Sequence, residues 1–196
     1  MNYLFHLHLS GDDPEILTGN FMGDFVKGRL TDQWPPLVRR GIELHRAIDS
    51  FAHTEPAFNR SRLRIAPHFG LYRGILVDLF YDHFLATTWS SWSAEPLPLY
   101  LKRVRRVVEA RRAILPQRLG QILPIIFEDM IPSYLDTDGV GGALVRMSRR
   151  IPRDNPLAGG EAELVRNYEG LREDFLAFIA TAEEFAKGFR AELSAR

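Results

Sequence analysis

The sequence predicts an all-α protein, a single-domain helical bundle, and two observations support this fold class. Apolar residues recur at spacings of three and four through most of the chain, which is the period of an amphipathic helix. Alternating apolar runs joined by hairpin turns, the pattern of paired strands, are almost absent. With 196 residues, of which 45% are hydrophobic and 26% charged, the chain is long enough for one domain with a sizeable core.

Proline, glycine and capping residues place the boundaries of the predicted helices. A capping sequence at Asp13-Pro14 predicts a first helix that runs to about Val26 and ends at Gly28. The helix that begins at Pro56 is broken at 67–70, where proline and glycine recur. The remaining predicted elements are helices over 37–53, 71–89, 98–114, 117–130, 132–150 and 161–193, loops over 90–98 and 151–160, and a bend at Gly170.

The segment from Tyr3 to Leu9 is open to two interpretations. Its residues alternate in polarity, which fits a strand that would point His6 and His8 to the same side. As a helix, the segment would separate these two side chains widely. The local pattern alone does not choose between the two.

Composition excludes several classes of protein. The chain has no cysteine, so disulfides and thiolate metal sites are excluded, and this absence fits a reducing cytoplasm. The N-terminal sequence lacks a basic leader, and no apolar run approaches the roughly 20 residues that cross a bilayer. We therefore expect a cytoplasmic protein with neither a membrane nor a nucleic-acid partner.

A cationic stripe, residues 101–112, interrupts a chain whose formal net charge is zero. The stripe contains six cations and one anion, so it produces a local positive field that the zero net charge of the whole chain does not reveal. It is either a solvated helix face or a docking surface for an acidic partner. The cations are Lys102, Arg103, Arg105, Arg106, Arg111 and Arg112.

All six histidines lie within the first 83 residues, and several are close to acidic residues. Three pairs have the four-residue spacing that places both members on one helix face: His45 and Asp49, Asn20 and Asp24, and Asp78 and Asp82. Imidazole nitrogens and carboxylate oxygens are ligands that Mn²⁺, Fe²⁺ or Zn²⁺ bind. If these blocks converge in the fold, a metal-dependent hydrolase is the leading hypothesis.

Each pair also has a purely structural interpretation. His45 and Asp49 could form a simple hydrogen bond, and the glycines beside Asn20 could serve close helix packing instead of ligand approach. Carboxylates among apolar residues need a partner, because an unpaired buried charge costs several kcal/mol. For Asp82 we favour a metal as that partner, whereas for Asp78 a salt bridge fits equally well.

Four stretches carry a resemblance to a known family. They are NYLFHLHL (2–9), GNFMGDFVKG (19–28), GIELHRAID (41–49) and DHFL (82–85). In order and spacing they resemble stretches of the acyl carrier protein phosphodiesterases, or ACP hydrolases, a family related to the HD-domain phosphohydrolases. The chain also agrees with that family in length. The resemblance implies an HD-like helical domain over residues 1–196.

The family removes the 4′-phosphopantetheine group from holo acyl carrier protein with a divalent metal, typically Mn²⁺. The resemblance implies a metal that activates a water and polarises a phosphoryl oxygen. Its implied ligands are drawn from His6, Asp24, His45, Asp49 and Asp82.

His83 is the implied proton donor to the leaving serine oxygen. Arg46 or Lys27 would steady the phosphoryl oxygens, and Asn20 belongs to the implied substrate-binding set. The cationic stripe would steer in the acidic carrier protein.

One departure limits this transfer of roles. HD enzymes are named for an adjacent His-Asp pair, and this chain has only the reverse order, Asp82-His83. Two other functions therefore stay open. An HD-like phosphohydrolase acting on a nucleotide or another small phosphoester would tolerate changes in the cationic stripe. A non-catalytic helical module would bind an acidic protein through the stripe and hold no stoichiometric metal.

Overall fold

The computed structural model of the protein describes residues 1–194, and every regular element in that range is helical. The α-helices are α1 (Tyr3–Leu9), α2 (Pro14–Met22), α3 (Pro36–Thr54), α4 (Pro56–Arg64), α5 (Arg73–Thr87), α6 (Leu97–Glu109), α7 (Gln117–Ile125), α8 (Ile131–Ser133), α9 (Thr137–Arg150), α10 (Glu161–Arg166) and α11 (Tyr168–Ser194). The all-α prediction is confirmed. None of these helices combines the length and the apolar character that a membrane span requires.

Short irregular turns connect several of the helices. Four 3₁₀ turns cover Gly23–Phe25, Pro67–Tyr72, Trp89–Ser91 and Arg112–Ile114, and a π-helical turn covers Ile126–Met130. The first of these turns follows α2 directly and carries Asp24. Helix α2 therefore ends earlier than the predicted first helix, because the chain passes into a 3₁₀ turn at Gly23 before it reaches Val26.

Helix α1 resolves the ambiguity of the N-terminal segment. It packs against α2, α5 and α11, so its apolar residues are buried on all sides and the helical period is masked in the sequence. The two histidines point apart, as a helix requires. His6 is buried, whereas His8 Nε2 lies 2.6 Å from Glu183 Oε1 of α11.

Helices α2 and α3 pack backbone against backbone through two facing glycines. A Cβ atom on Gly19 would overlap the carbonyl oxygen of Val38, and one on Gly41 would overlap the carbonyl oxygen of Ile16. Only glycine permits this approach, because any side chain would push the two helices apart. As a result, the end of α2 and the turn after it lie directly beside His45 of α3.

Aromatic rings fill the core on the other side of α1. The ring centroid of Phe178 in α11 lies 5.5 Å from that of Phe5 and 5.2 Å from that of Tyr81. Asp174 of α11 also receives hydrogen bonds from Arg60 and Arg64 of α4, each at 2.8 Å. The long C-terminal helix therefore fixes α1, α4 and α5 relative to one another.

Two predicted helices are divided in the structure. The prediction of one helix over 161–193 with a bend at Gly170 is wrong, because α10 ends before Asn167 and α11 begins after it. The side chain of Asn167 donates to the Glu163 carbonyl oxygen at 3.1 Å. The predicted helix over 132–150 is divided between α8 and α9, where Asp136 caps α9 by accepting from Gly139 N at 2.6 Å. Side-chain bonds to the local backbone compete with helix continuation at both places.

Candidate metal centre

Helices α1 and α3 bring His6, His45 and Asp49 into one cluster, here called the His-His-Asp cluster. Asp49 Oδ1 lies 3.2 Å from His6 Nε2, and Asp49 Oδ2 lies 3.3 Å from His45 Nε2. The two imidazole rings are stacked with their centroids 3.8 Å apart. One donor atom from each residue lies within 4.8 Å of the other two, so these residues could hold a metal ion. Two nitrogens and one oxygen form a ligand set that suits Mn²⁺, Fe²⁺ or Zn²⁺.

Asn20 determines which nitrogen of each imidazole carries the proton. Its Nδ2 donates to the carbonyl oxygen of His6 and to Ser10 Oγ, both at 2.9 Å. Its Oδ1 is therefore the atom that faces His6 Nδ1 at 3.0 Å, and its backbone oxygen faces His45 Nδ1 at 2.8 Å. Because both oxygens can only accept, each ring donates from Nδ1, and a neutral ring therefore presents a lone pair at Nε2.

Both Nε2 atoms face the carboxylate of Asp49, and the lone pair of a neutral ring at this place repels the carboxylate. His6 Nε2 is buried and has no hydrogen-bond partner within residues 1–194, although the Asp49 oxygen is close. Burial and the neighbouring His45 lower the pKa of His6 to about 4, so its ring is neutral at pH 7. A cation among the three ligands would relieve the repulsion. Histidines that donate to a carbonyl oxygen from the far nitrogen are typical of metal sites, so these residues fit a divalent metal.

Asp24 lies at the solvent side of the cluster. Its Oδ1 is 3.5 Å from His45 Nε2, and its side chain is 54% exposed. Burial would raise the pKa of Asp24, but the neighbouring His45 ring outweighs it and the pKa is lowered. Burial would raise the pKa of Asp49 as well, but the Met1 ammonium group 2.7 Å away opposes it, and the pKa is lowered. Both carboxylates are therefore ionised at neutral pH.

The α-ammonium group of Met1 lies at the buried edge of the cluster. It is 2.7 Å from Asp49 Oδ1 and 3.4 Å from Asp78 Oδ1. Burial would lower the pKa of this amine, but Asp78 and Asp49 outweigh it and raise the pKa to about 11. Of the two interpretations of Asp78, the structure therefore shows the salt bridge, with a partner that side-chain patterns do not reveal.

Three cavities near the cluster share wall residues. The central cavity, about 270 Å³, has Asp49, Asp78 and Met147 in its wall. Asp24 lies in the wall shared by this cavity and a second one of about 420 Å³, here called the cationic groove. Ile75 lies in the wall shared with a third cavity of about 460 Å³, here called the outer pocket. The central cavity therefore shares one wall residue with each of the other two cavities.

The sequence of the chain is similar to those of known proteins. A family model described as acyl carrier protein phosphodiesterase matches residues 1–182. The chain belongs to this family. Three curated relatives, all named acyl carrier protein phosphodiesterase, illustrate the similarity. The relative from Serratia proteamaculans is 31% identical over 95% of this chain and 98% of its own length. One from Escherichia coli is 32% identical over 95% and 97%, and one from Photorhabdus laumondii is 29% identical over 95% and 96%. No solved structure matches the chain.

Asp82, a predicted ligand in this family member, lies outside the His-His-Asp cluster. Its Oδ2 accepts a hydrogen bond from Leu4 N and its Oδ1 accepts one from Phe5 N, both at 2.9 Å. These amides belong to the first turn of α1, where no carbonyl within the helix can pair with them. Burial raises the pKa of Asp82 to about 7, although both amides oppose the rise. Asp82 therefore caps α1 and so holds His6 in place.

The Asp82→Asn variant tests this capping role. Asparagine has one acceptor oxygen, and its NH₂ group would face the second amide, so one buried donor loses its partner. We expect the free energy of unfolding to fall by about 1–3 kcal/mol in chemical denaturation. The metal content at saturating metal should stay at the wild-type level. Loss of the metal with unchanged stability would instead make Asp82 a ligand.

His83 is held by the surrounding protein on both ring nitrogens. Its Nδ1 lies 2.8 Å from the Tyr134 carbonyl oxygen and its Nε2 lies 3.1 Å from the Tyr168 hydroxyl. Burial lowers the pKa of His83. Because the ring links α5 to the segment before α9 and to α11, the structure does not support His83 as the proton donor.

The other predicted substrate-binding residues lie in different surroundings. Asn20 is fully buried beneath the cluster, so it orients the histidines and does not face a substrate. Arg46 donates to the carbonyl oxygens of Val26 and Gly28, at 3.1 and 2.8 Å, and so positions the segment between them. Lys27, within that segment, is exposed and lines the cationic groove.

The cationic stripe lies on α6 and the turn after it, and much of its charge is occupied. The contacts are Arg103 with Glu95, Arg105 with Glu109 and Glu128, Arg111 with the Val107 carbonyl oxygen, and Arg112 with the Gly120 carbonyl oxygen. Lys102 and Arg106 are exposed and form no ion pair in the part of the chain that the structure describes. The docking role of the stripe stays a prediction.

Two arginines near the cluster were missed by the sequence analysis. Arg118 of α7 and Arg150 of α9 line the cationic groove together with Lys27. They are distant in sequence from the histidine blocks and belong to no motif. Only the tertiary packing of α7 and α9 beside α1 shows that they belong to this site.

Proposed function

We propose that the protein hydrolyses the phosphodiester that joins 4′-phosphopantetheine to a serine of acyl carrier protein, with a divalent metal, Mn²⁺, bound at the His-His-Asp cluster. The observation that carries the proposal is that two imidazole Nε2 atoms and the carboxylate of Asp49 lie within 4.8 Å of one another. Family membership supports the substrate, since the relatives carry it in their name.

The residues around the cluster each have a part in this reaction. When bound, the metal lowers the pKa of a water molecule and polarises a phosphoryl oxygen. Asn20 fixes both imidazoles in the tautomer that binds metal, and Asp24 completes the ligand set from the solvent side. The central cavity is the place where the phosphoryl group meets these ligands.

Tyr3 is the proposed proton donor to the departing serine oxygen. It lies in the wall of the cationic groove together with Asp24. Burial raises the pKa of Tyr3 to about 12, so the phenol keeps its proton at neutral pH. An alkoxide leaving group benefits from a positioned acid, typically by a factor of about 10² or more.

Intact-mass spectrometry of holo acyl carrier protein tests the proposed function. We expect the carrier protein to lose its phosphopantetheine mass when it is incubated with the protein and Mn²⁺, and to keep it in EDTA. The Asp24→Ala variant should leave most of the carrier in the holo form, because the solvent-side ligand is gone.

The matched control is Asp32→Asn, at an exposed acid that pairs with Arg39 away from the cluster. This variant should convert the carrier at the wild-type rate. If wild-type protein holds one metal but leaves the carrier intact, the substrate is wrong and a small phosphoester becomes the better candidate. If it binds no metal, the enzyme function itself fails and a binding module remains.

A further inference from the structure

The cationic groove carries an unbalanced positive charge beside the cluster. Lys27, Arg118 and Arg150 are all exposed, and within residues 1–194 none of them forms an ion pair. The one carboxylate in the wall is that of Asp24, which is turned towards His45. Unlike Arg103 and Arg105 of the stripe on α6, which are held in ion pairs, these three are therefore available to an anionic partner.

The outer pocket, which shares Ile75 with the central cavity, is close to neutral. Phe69, Leu71, Tyr72 and Ile75 supply apolar and aromatic surface, and one arginine in the wall is balanced by the neighbouring aspartate. Leu71 is 88% exposed, because the chain turns outward at Gly70, which has a φ of 50°. The volume lies within the range of about 300–1,000 Å³ that is typical of small-molecule sites.

A phosphodiester substrate of the proposed reaction has two unlike arms. On one side of the phosphate is a folded, acidic protein. On the other side is the pantetheine chain, which has amide groups and methyl groups but no charge. The two cavities that share wall residues with the central cavity differ in the same way, since one is cationic while the other is neutral and partly apolar.

We propose that the substrate lies across the His-His-Asp cluster in one orientation, with the carrier protein over the cationic groove of Lys27, Arg118 and Arg150 and the pantetheine arm in the outer pocket. This assignment rests on the proposed function. It makes Arg118 and Arg150 recognition residues for the carrier protein, and it places Leu71 and Ile75 against the arm.

Two substrates distinguish recognition of the carrier protein from recognition of the pantetheine arm. The first is holo acyl carrier protein, and the second is a phosphopantetheinyl serine amide, which has the arm but no folded protein. Reversing two charges with Arg118→Glu and Arg150→Glu should lower kcat/KM for the holo protein by about 10–100-fold, mainly through KM, because steering by charge is lost. The same variant should lower kcat/KM for the small ester by a clearly smaller factor, because that substrate has no folded protein to steer.

The Leu71→Asp variant tests the other side. A charge in the outer pocket should lower kcat/KM about tenfold for both substrates that carry the arm. Hydrolysis of bis(p-nitrophenyl) phosphate, which lacks the arm and the protein, should stay at the wild-type rate. Leu71 is so exposed that the substitution should not change the melting temperature, which is measured for every variant.

Matched charge reversals serve as the control and test the cationic stripe as the competing docking surface. Arg149→Glu is adjacent to Arg150 but lines neither cavity, so it should act as wild type on every substrate. Lys102→Glu with Arg106→Glu reverses two free charges on the stripe, and a larger loss for this pair than for the groove pair would overturn the assignment. Equal losses on the small ester and the holo protein in the groove variant would overturn it too. If wild-type protein releases phosphopantetheine from neither substrate, the proposed function has failed and not merely the orientation.

Discussion

The Asp49→Asn variant is expected to lose its metal and to lower kcat/KM by roughly 10³-fold or more, since a metal supplies several kcal/mol of transition-state stabilisation. Asp49 is the anionic member of the cluster, with one oxygen beside each imidazole. Asparagine would remove the negative charge and place an NH₂ group against one of the two Nε2 atoms. Metal content per folded chain, measured by elemental analysis after dialysis, provides the direct readout.

The Asp32→Asn variant again serves as the control, because it removes an equally sized carboxylate from an exposed ion pair. It should retain one metal per chain and wild-type kinetics. A folded Asp49→Asn protein with full metal content would show that the ion is held elsewhere. A variant without metal but with unchanged turnover would show that the reaction does not depend on the cluster.

The Gly41→Ala variant is expected to destabilise the protein by about 3 kcal/mol, at the upper end of the usual cost of overpacking. The added methyl group would overlap the Ile16 carbonyl oxygen and press against Gly19 of α2. Separation of α2 from α3 would also move Asn20 away from His45 and loosen the cluster. Chemical denaturation of the metal-free protein measures the first effect, and metal affinity measures the second.

Gly188→Ala provides a matched control with the opposite expected sign. Gly188 lies in α11 with no atom near the position of an added Cβ. Alanine at such a helical site should stabilise the protein by about 0.5–1 kcal/mol, because it reduces the freedom of the unfolded chain. If both variants change stability by the same amount, the contact between α2 and α3 is not as tight as the structure indicates.

Much of the fold could be predicted from the chain alone, because its information is local. Apolar spacing predicted an all-α protein, and proline and glycine marked many of the helix ends. The spacing of His45 and Asp49 predicted that they share a helix face, and the structure places them together. The glycines beside Asn20 were open to two interpretations, ligand approach or helix packing. Gly19 serves the packing, whereas a Cβ on Gly23 would overlap the His45 ring.

The local pattern could not predict which residues each helix face contacts in the folded protein. A four-residue spacing states which residues point the same way, but not what they point at. The apolar surroundings of Asp82 predicted a metal ligand, and in the structure Asp82 accepts from the first amides of α1. The resemblance placed Asn20 in the substrate-binding set, and in the structure its oxygens face the Nδ1 atoms of two histidines. Arg118 and Arg150 gave no signal at all. Their place beside the cluster depends on contacts between residues far apart in the chain, which only the packing of the helices decides.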